Sequence, residues 1–262
     1  MRLVSVLIAG WVGLSLGPVL ACGGAEACPI GERSYHAQPP EGWDRASPLP
    51  VLIHFHGWGR QSHGVMNNQR VAGPASENGL LLIAPNGLGK SWDFWDGESR
   101  DTGFTVEVLA DAARRWPIDM GRVYVSGFSY GGAMAWRLAC ERGAAFAAAY
   151  LPISGALWRQ NREACSGGPA RVLHVHGLAD TVFGLPYDPG IGPADGVSLW
   201  RRVNRTGDVP EARYAAGRFD CRDWQGAALL TLCTHEKGHF IPADWLDWAL
   251  KRVLADAARG AS

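Results

Sequence analysis

Six apolar runs recur along the chain: PVLIHFHG, LLLIAPNG, RVYVSG, AAAYLPISG, RVLHVHG and ALLTLCTH. Most are continuous rather than alternating, the pattern of strands buried on both faces. Between them lie amphipathic segments: FTVEVLADAARRW ahead of Pro117, GGAMAWRLACERG, GVSLWRRVNR, and a final PADWLDWALKRVLADAA with Pro242 in its first turn. Strand and helix alternate, so the chain is expected to be an α/β protein. Its central sheet should be mostly parallel, with helices on both faces. A length of 262 residues with 47% hydrophobic and 19% charged content suits one sizeable domain. No internal repeat or long linker divides it, and the Gly- and Pro-rich VFGLPYDPGIGPADG reads as a surface loop.

The first residues, MRLVSVLIAGWVGLSLGPVLACGG, combine one positive charge, an apolar stretch and small residues before Cys22. This reads as a secretory signal peptide over residues 1–21, cleaved after Ala21, with 22–262 as a single domain. A retained membrane anchor is the alternative, for which the stretch is short. Val-Leu-Ala-Cys also loosely resembles a bacterial lipoprotein site, so a membrane becomes a partner only if Cys22 carries lipid. A secreted or periplasmic location permits disulfides, and cleavage leaves an even set of six cysteines. Cys22 and Cys28 are close enough to staple the new N-terminus. Cys221 and Cys233 suit cross-strand positions of a hairpin turning near Gln225-Gly226. Cys140 and Cys165 form the third pair by elimination.

The charges cancel, 25 basic against 25 acidic, so no broad field favours nucleic acid or an anionic membrane. Twelve tryptophans bias the expectation toward a bulky apolar ligand. Asn204-Arg-Thr is a glycosylation sequon only in a eukaryotic source.

Gly127-Phe128-Ser129-Tyr130-Gly131 fits G-x-S-x-G. With 34 glycines in the chain the pentapeptide alone is weak. Its context is stronger, because it ends a β-like run and opens a helix, the strand-turn-helix setting that exposes a nucleophilic serine above a sheet. A serine hydroxyl needs a base and a group to orient that base. In this order of elements Asp180 follows the RVLHVHG strand, and His239 follows the last strand in the loop before the terminal helix. His235 is the competing histidine, but it lies nearer the strand. Oxyanion donors are expected from the backbone N–H of Tyr130, directly after the serine, and of Trp58, in the turn after LIHFHG. His54 and His56 share a strand face as a metal pair would, yet no third ligand is evident, and a His-Gly turn explains them.

Taken in order, HGWG, GFSYGG, HGLAD and GHFIP resemble the secreted polyhydroxybutyrate depolymerase and feruloyl esterase family of α/β-hydrolases. The stretch from Asp101 to Gly155 is especially similar to it. The resemblance implies an α/β-hydrolase fold and a serine carboxylesterase with Ser129 as nucleophile, Asp180 as orienting acid, His239 as base, and Trp58 and Tyr130 as oxyanion donors. It implies no metal or cofactor, a small or oligomeric ester as substrate, and no obligatory protein partner. Trp58 and Tyr130 are bulkier than the residues many relatives carry there, which crowds the mouth of the site. Trp58, Trp92, Trp95 and Phe183 are the candidate substrate contacts, and Phe94 lies among them. The alternatives are a peptidase on the same fold and a noncatalytic exported binding protein.

Overall fold

The computed structural model describes residues 22–95, 98–157, 165–184 and 196–260. The signal segment, residues 1–21, and most of the expected surface loop, residues 185–195, lie outside the described residues.

All six apolar runs are strands. They are β3 (Leu49–Phe55), β4 (Leu81–Pro85), β5 (Ile118–Phe128), β6 (Ala149–Ile153), β7 (Val172–Gly177) and β10 (Leu230–His235). They form the parallel centre of a ten-stranded sheet in the order β4-β3-β5-β6-β7-β10. Continuous apolar sequence follows from this position, since every residue of β3, β4, β6, β7 and β10 is buried.

Four further strands extend the sheet by antiparallel pairing. At one edge are β1 (Cys28–Ile30) and β2 (Arg33–Gln38). At the other are β8 (Ala212–Ala216) and β9 (Phe219–Trp224). Apolar runs do not reveal β1, β2 or β8, because strands at or next to the sheet edges expose part of their side chains and need no continuous apolar sequence.

Helices cover both faces. On one face α3 (Arg100–Arg115), α4 (Tyr130–Arg142) and α5 (Gly196–Asn204) pack over Val51, Ile53, Val123 and Val125. Trp136 of α4 and Trp200 of α5 are fully buried there, edge to face with ring centroids 5.6 Å apart. On the other face α1 (Ser62–Met66), α2 (Gln69–Glu77) and α6 (Trp245–Gly260) cover Leu52, Tyr124, Leu151 and Val175. The final helix begins three residues after Pro242, whose carbonyl accepts from the Trp245 N–H across the preceding turn.

The three expected disulfides are all present: Cys22–Cys28, Cys140–Cys165 and Cys221–Cys233. Cys221 and Cys233 face each other across β9 and β10, as a hairpin requires. The Cys22 sulfur is bonded to Cys28, so in this state it is not available for a lipid thioether. Asn204 corrects the sequon reading. It is fully buried, and its side chain accepts from the Ala170 N–H and donates to the Ala170 and Ala228 carbonyls. Its amide nitrogen is therefore closed to modification in the folded chain. Among the described residues no helix is long and apolar enough to cross a membrane.

Candidate active site

Parallel strands put their C-terminal ends on one side of the sheet, where the following loops can meet. The ends of β3, β5, β7 and β10 each contribute one part of the site.

Between β5 and α4 the chain turns at Ser129, whose backbone has φ 58° and ψ −119°. A non-glycine residue rarely adopts positive φ, and holding it costs about 1–3 kcal/mol. The close approach of the flanking backbone explains the glycines. A Cβ on Gly127 would lie 2.2 Å from the Gly131 carbonyl oxygen, and one on Gly131 would lie 2.0 Å from that of Phe55. Only glycine lets the helix start press against β3 and the strand end together.

His239 bridges Ser129 and Asp180. The Ser129 hydroxyl lies 2.8 Å from His239 Nε2, and His239 Nδ1 lies 2.7 Å from Asp180 Oδ2. These partners suit an imidazole that accepts the serine proton at Nε2 and donates its Nδ1–H to the carboxylate. Phe128 and Phe183 flank the ring at centroid distances of 4.8 and 6.0 Å. The Asp180 side chain is fully buried, while that of His239 is 17% exposed. Burial opposes ionisation of Asp180, but hydrogen bonds from His239 and from the Phe183 and Val182 N–H groups outweigh it and hold its carboxyl below the usual value. His235 stays at the end of β10, where it is buried and its Nδ1 accepts from the Lys237 N–H.

Two buried histidines of β7 stand behind Asp180. His176 Nε2 donates to the Phe183 carbonyl at 3.0 Å and lies 3.5 Å from Asp180 Oδ2. Its Nδ1 is then free to accept from His174 Nε2, 3.1 Å away. Burial pushes both histidines below the ordinary value, which keeps them neutral. The Asp180 loop is thus held through both its carboxylate and its backbone. RVLHVHG reads in sequence only as a buried strand; the supporting role of its histidines needs the fold.

At the end of β3, His56 braces the turn that carries Trp58. Its Nδ1 donates to the Gly57 carbonyl and its Nε2 accepts from the Gly87 N–H, so both ring nitrogens are occupied without a metal. Burial lowers its pKa as well. Trp92 donates its indole N–H to the His56 carbonyl at 2.7 Å and is 2% exposed. This corrects its expected place among the substrate contacts: Trp92 lies behind the turn and does not line the cleft. Trp95 and Phe94 pack against Tyr130 instead of opening into the cleft, and Phe183 is buried between Tyr130 and His239. Trp58 does line the cleft and is 69% exposed. Tyr130 opens α4, so its backbone N–H has no carbonyl one turn earlier to bond.

The cleft over Ser129 has a volume of about 780 Å³. Besides Ser129, Tyr130, His239, Trp58, Phe128 and the two histidines His54 and His56, it is lined by residues that sequence patterning does not single out. They come from α1, α2 and the segment before them, and from Val182, Phe240 and Ile241. Gly64 in α1 and Gly73 with Pro74 in α2 hide those helices from a propensity reading. The one signal was Asn68, which caps α2 by accepting from the Arg70 N–H.

No protein-family model matches the chain. It is 27% identical over 218 residues to a probable feruloyl esterase C of Aspergillus terreus, covering 80% of this chain and 77% of that one. It is 30% identical over 169 residues to feruloyl esterase C of Emericella nidulans, covering 62% and 59%. Among solved structures, an acetyl xylan esterase from Aspergillus awamori superimposes with a TM-score of 0.65 at 17% identity, covering 82% of this chain and 94% of that one. A fluorophosphonate-binding serine hydrolase of Staphylococcus aureus does so with a TM-score of 0.55 at 17% identity, covering 85% and 91%.

Proposed function

We propose, from the premise that this chain is an α/β-hydrolase homologous to feruloyl esterases, that it is a carboxylesterase working through an acyl-enzyme on Ser129. The observation that carries the reading is the continuous pair of short contacts from Ser129 through His239 to Asp180. His239 Nε2 takes the hydroxyl proton as Oγ attacks the ester carbonyl, and Asp180 stabilises the imidazolium that forms. The backbone N–H groups of Trp58 and Tyr130 receive the developing oxyanion, each donor contributing about 3 kcal/mol to the barrier reduction. His239 then protonates the leaving alcohol. Water, activated by the same imidazole, releases the acid and restores Ser129.

The names of the relatives and the rim formed by Trp58 and Tyr130 support an ester with an aromatic or otherwise bulky group. The three disulfides support export to an oxidising compartment. No observation favours the peptidase or the noncatalytic reading. Ser129→Ala is expected to lower kcat/KM on a soluble aryl ester by about 10⁴-fold or more and to abolish fluorophosphonate labelling, with the melting temperature little changed. Near-full hydrolysis by that variant would sink the assignment.

A further inference from the structure

The cleft is lined by two chemically different sets of residues. One is largely apolar, built from Phe128, Tyr130, Val182, Phe240 and Ile241. The other runs from residue 60 to residue 70 and presents Arg60, Gln61, Asn67, Asn68 and Arg70. Two guanidinium groups therefore stand in a cleft that no Asp or Glu among the described residues lines. The chain as a whole carries no net charge, so this is a local excess.

Among the described residues neither Arg60 nor Arg70 makes an ion pair, whereas the half-buried Arg33, Arg115 and Arg252 each do. Arg70 is nevertheless oriented. Its Nη1 donates to the Ile241 carbonyl at 2.9 Å, and its guanidinium carbon lies 5.8 Å from the centre of the Phe240 ring. Both partners follow His239 within two residues, so this cation is tied to the loop that carries the imidazole. Arg60 follows the Trp58 turn and lines the same cleft.

We infer that the substrate carries a carboxylate close to its ester bond, and that Arg60 and Arg70 hold it. The inference rests on the esterase reading and narrows it to anionic esters. An exposed guanidinium is strongly screened and contributes little by itself. Two of them in a concave site with low-dielectric walls focus the field and offer several N–H donors to one carboxylate. The expected selectivity is therefore moderate, about tenfold.

Two matched pairs of esters test it. 4-Nitrophenyl hemisuccinate against 4-nitrophenyl butyrate places the charge on the acyl side, and 4-acetoxybenzoate against its methyl ester places it on the alcohol side. With spontaneous hydrolysis subtracted, kcat/KM for the anionic member of at least one pair exceeds that for the neutral one by about tenfold at low ionic strength. That ratio falls toward one in about 0.5 M NaCl and in the Arg60→Gln, Arg70→Gln double variant, while Arg70→Lys keeps an intermediate ratio. Equal or better turnover of the neutral member in both pairs overturns the inference, as does a ratio that the double variant leaves intact. If Ser129 is labelled by a fluorophosphonate but the ratios are one, only the inference fails. If Ser129 is not labelled and none of the four esters is hydrolysed, the esterase reading fails with it.

Discussion

The Ser129 backbone is fixed by main chain packed against main chain, whereas the Asp180 and His239 side chains are set in addition by hydrogen bonds from each other and from loop N–H groups. At the elbow the Gly127, Gly131 and Phe55 main chains approach so closely that no Cβ fits at either glycine. On the other side of the cleft, Asp180 depends on hydrogen bonds from His239 and two loop N–H groups, with His176 behind it. The first arrangement has no slack, because a carbonyl cannot move without shifting its strand. The second is a network, and a network loses function in steps as members are removed. The difference teaches that the position of Ser129 should respond to substitution as an all-or-none property, and that of the Asp180 and His239 side chains as a graded one.

The sharpest way to break this comparison is Gly131→Ala. Its new Cβ would fall 2.0 Å from the Phe55 carbonyl oxygen, so a loss of stability above about 4 kcal/mol is expected, with no measurable esterase activity. Thermal or chemical denaturation would check it. A variant that melts like the parent and turns over substrate would show that the elbow has slack after all.

The histidine network makes the next largest prediction, one of pH. His54, His174 and His176 are at most 1% exposed, and burial lowers the pKa of each, that of His54 to about 3. Below the ordinary histidine value near pH 6.5 the unfolded chain takes up protons that the native state refuses. Stability is therefore fully present above about pH 6.5 and is lost as pH falls toward the folded values. The loss is about 1.4 kcal/mol per pH unit for each histidine that stays neutral. Denaturant melts at steps from pH 7.5 to pH 5 would read the slope, and a flat profile across that range would contradict it.

The smallest effect sharpens the graded half of the comparison. His176→Phe fills the same space but removes the Nε2–H that holds the Phe183 carbonyl and lies beside Asp180. We expect kcat to fall about tenfold, or about 1.4 kcal/mol, with KM within twofold. His176→Asn, which retains a side-chain N–H, should recover part of the loss. Equal loss in both variants, or no loss in either, would make His176 a packing residue only.

Much of the site was legible in the chain because its signals are local. The glycine spacing around Ser129 reflects contacts a few residues away, and Asp180 and His239 each follow a recognisable strand. The choice of His239 over His235 also rested on local position, since His235 belongs to β10 itself. The aromatic residues were a different case. Trp92 follows a strand end just as Trp58 follows another, yet one is buried on the His56 carbonyl and the other opens to the cleft. Nothing in the neighbouring sequence separates them, because the outcome depends on which loop lies on top.

The sequence by itself determined the order of buried strands and covering helices, the turn that lifts Ser129, and the order in which its partners arrive. Those features depend on periodicity, on backbone freedom and on the handedness of strand-helix-strand connections, all of which act over short stretches of chain. Only the tertiary structure decided that Asn204 is sealed, that His174 and His176 stand behind Asp180, and that residues 60–70 bring polar side chains to the cleft. Each of these depends on burial and facing partners contributed by segments distant in sequence, and no local pattern records which segments those will be.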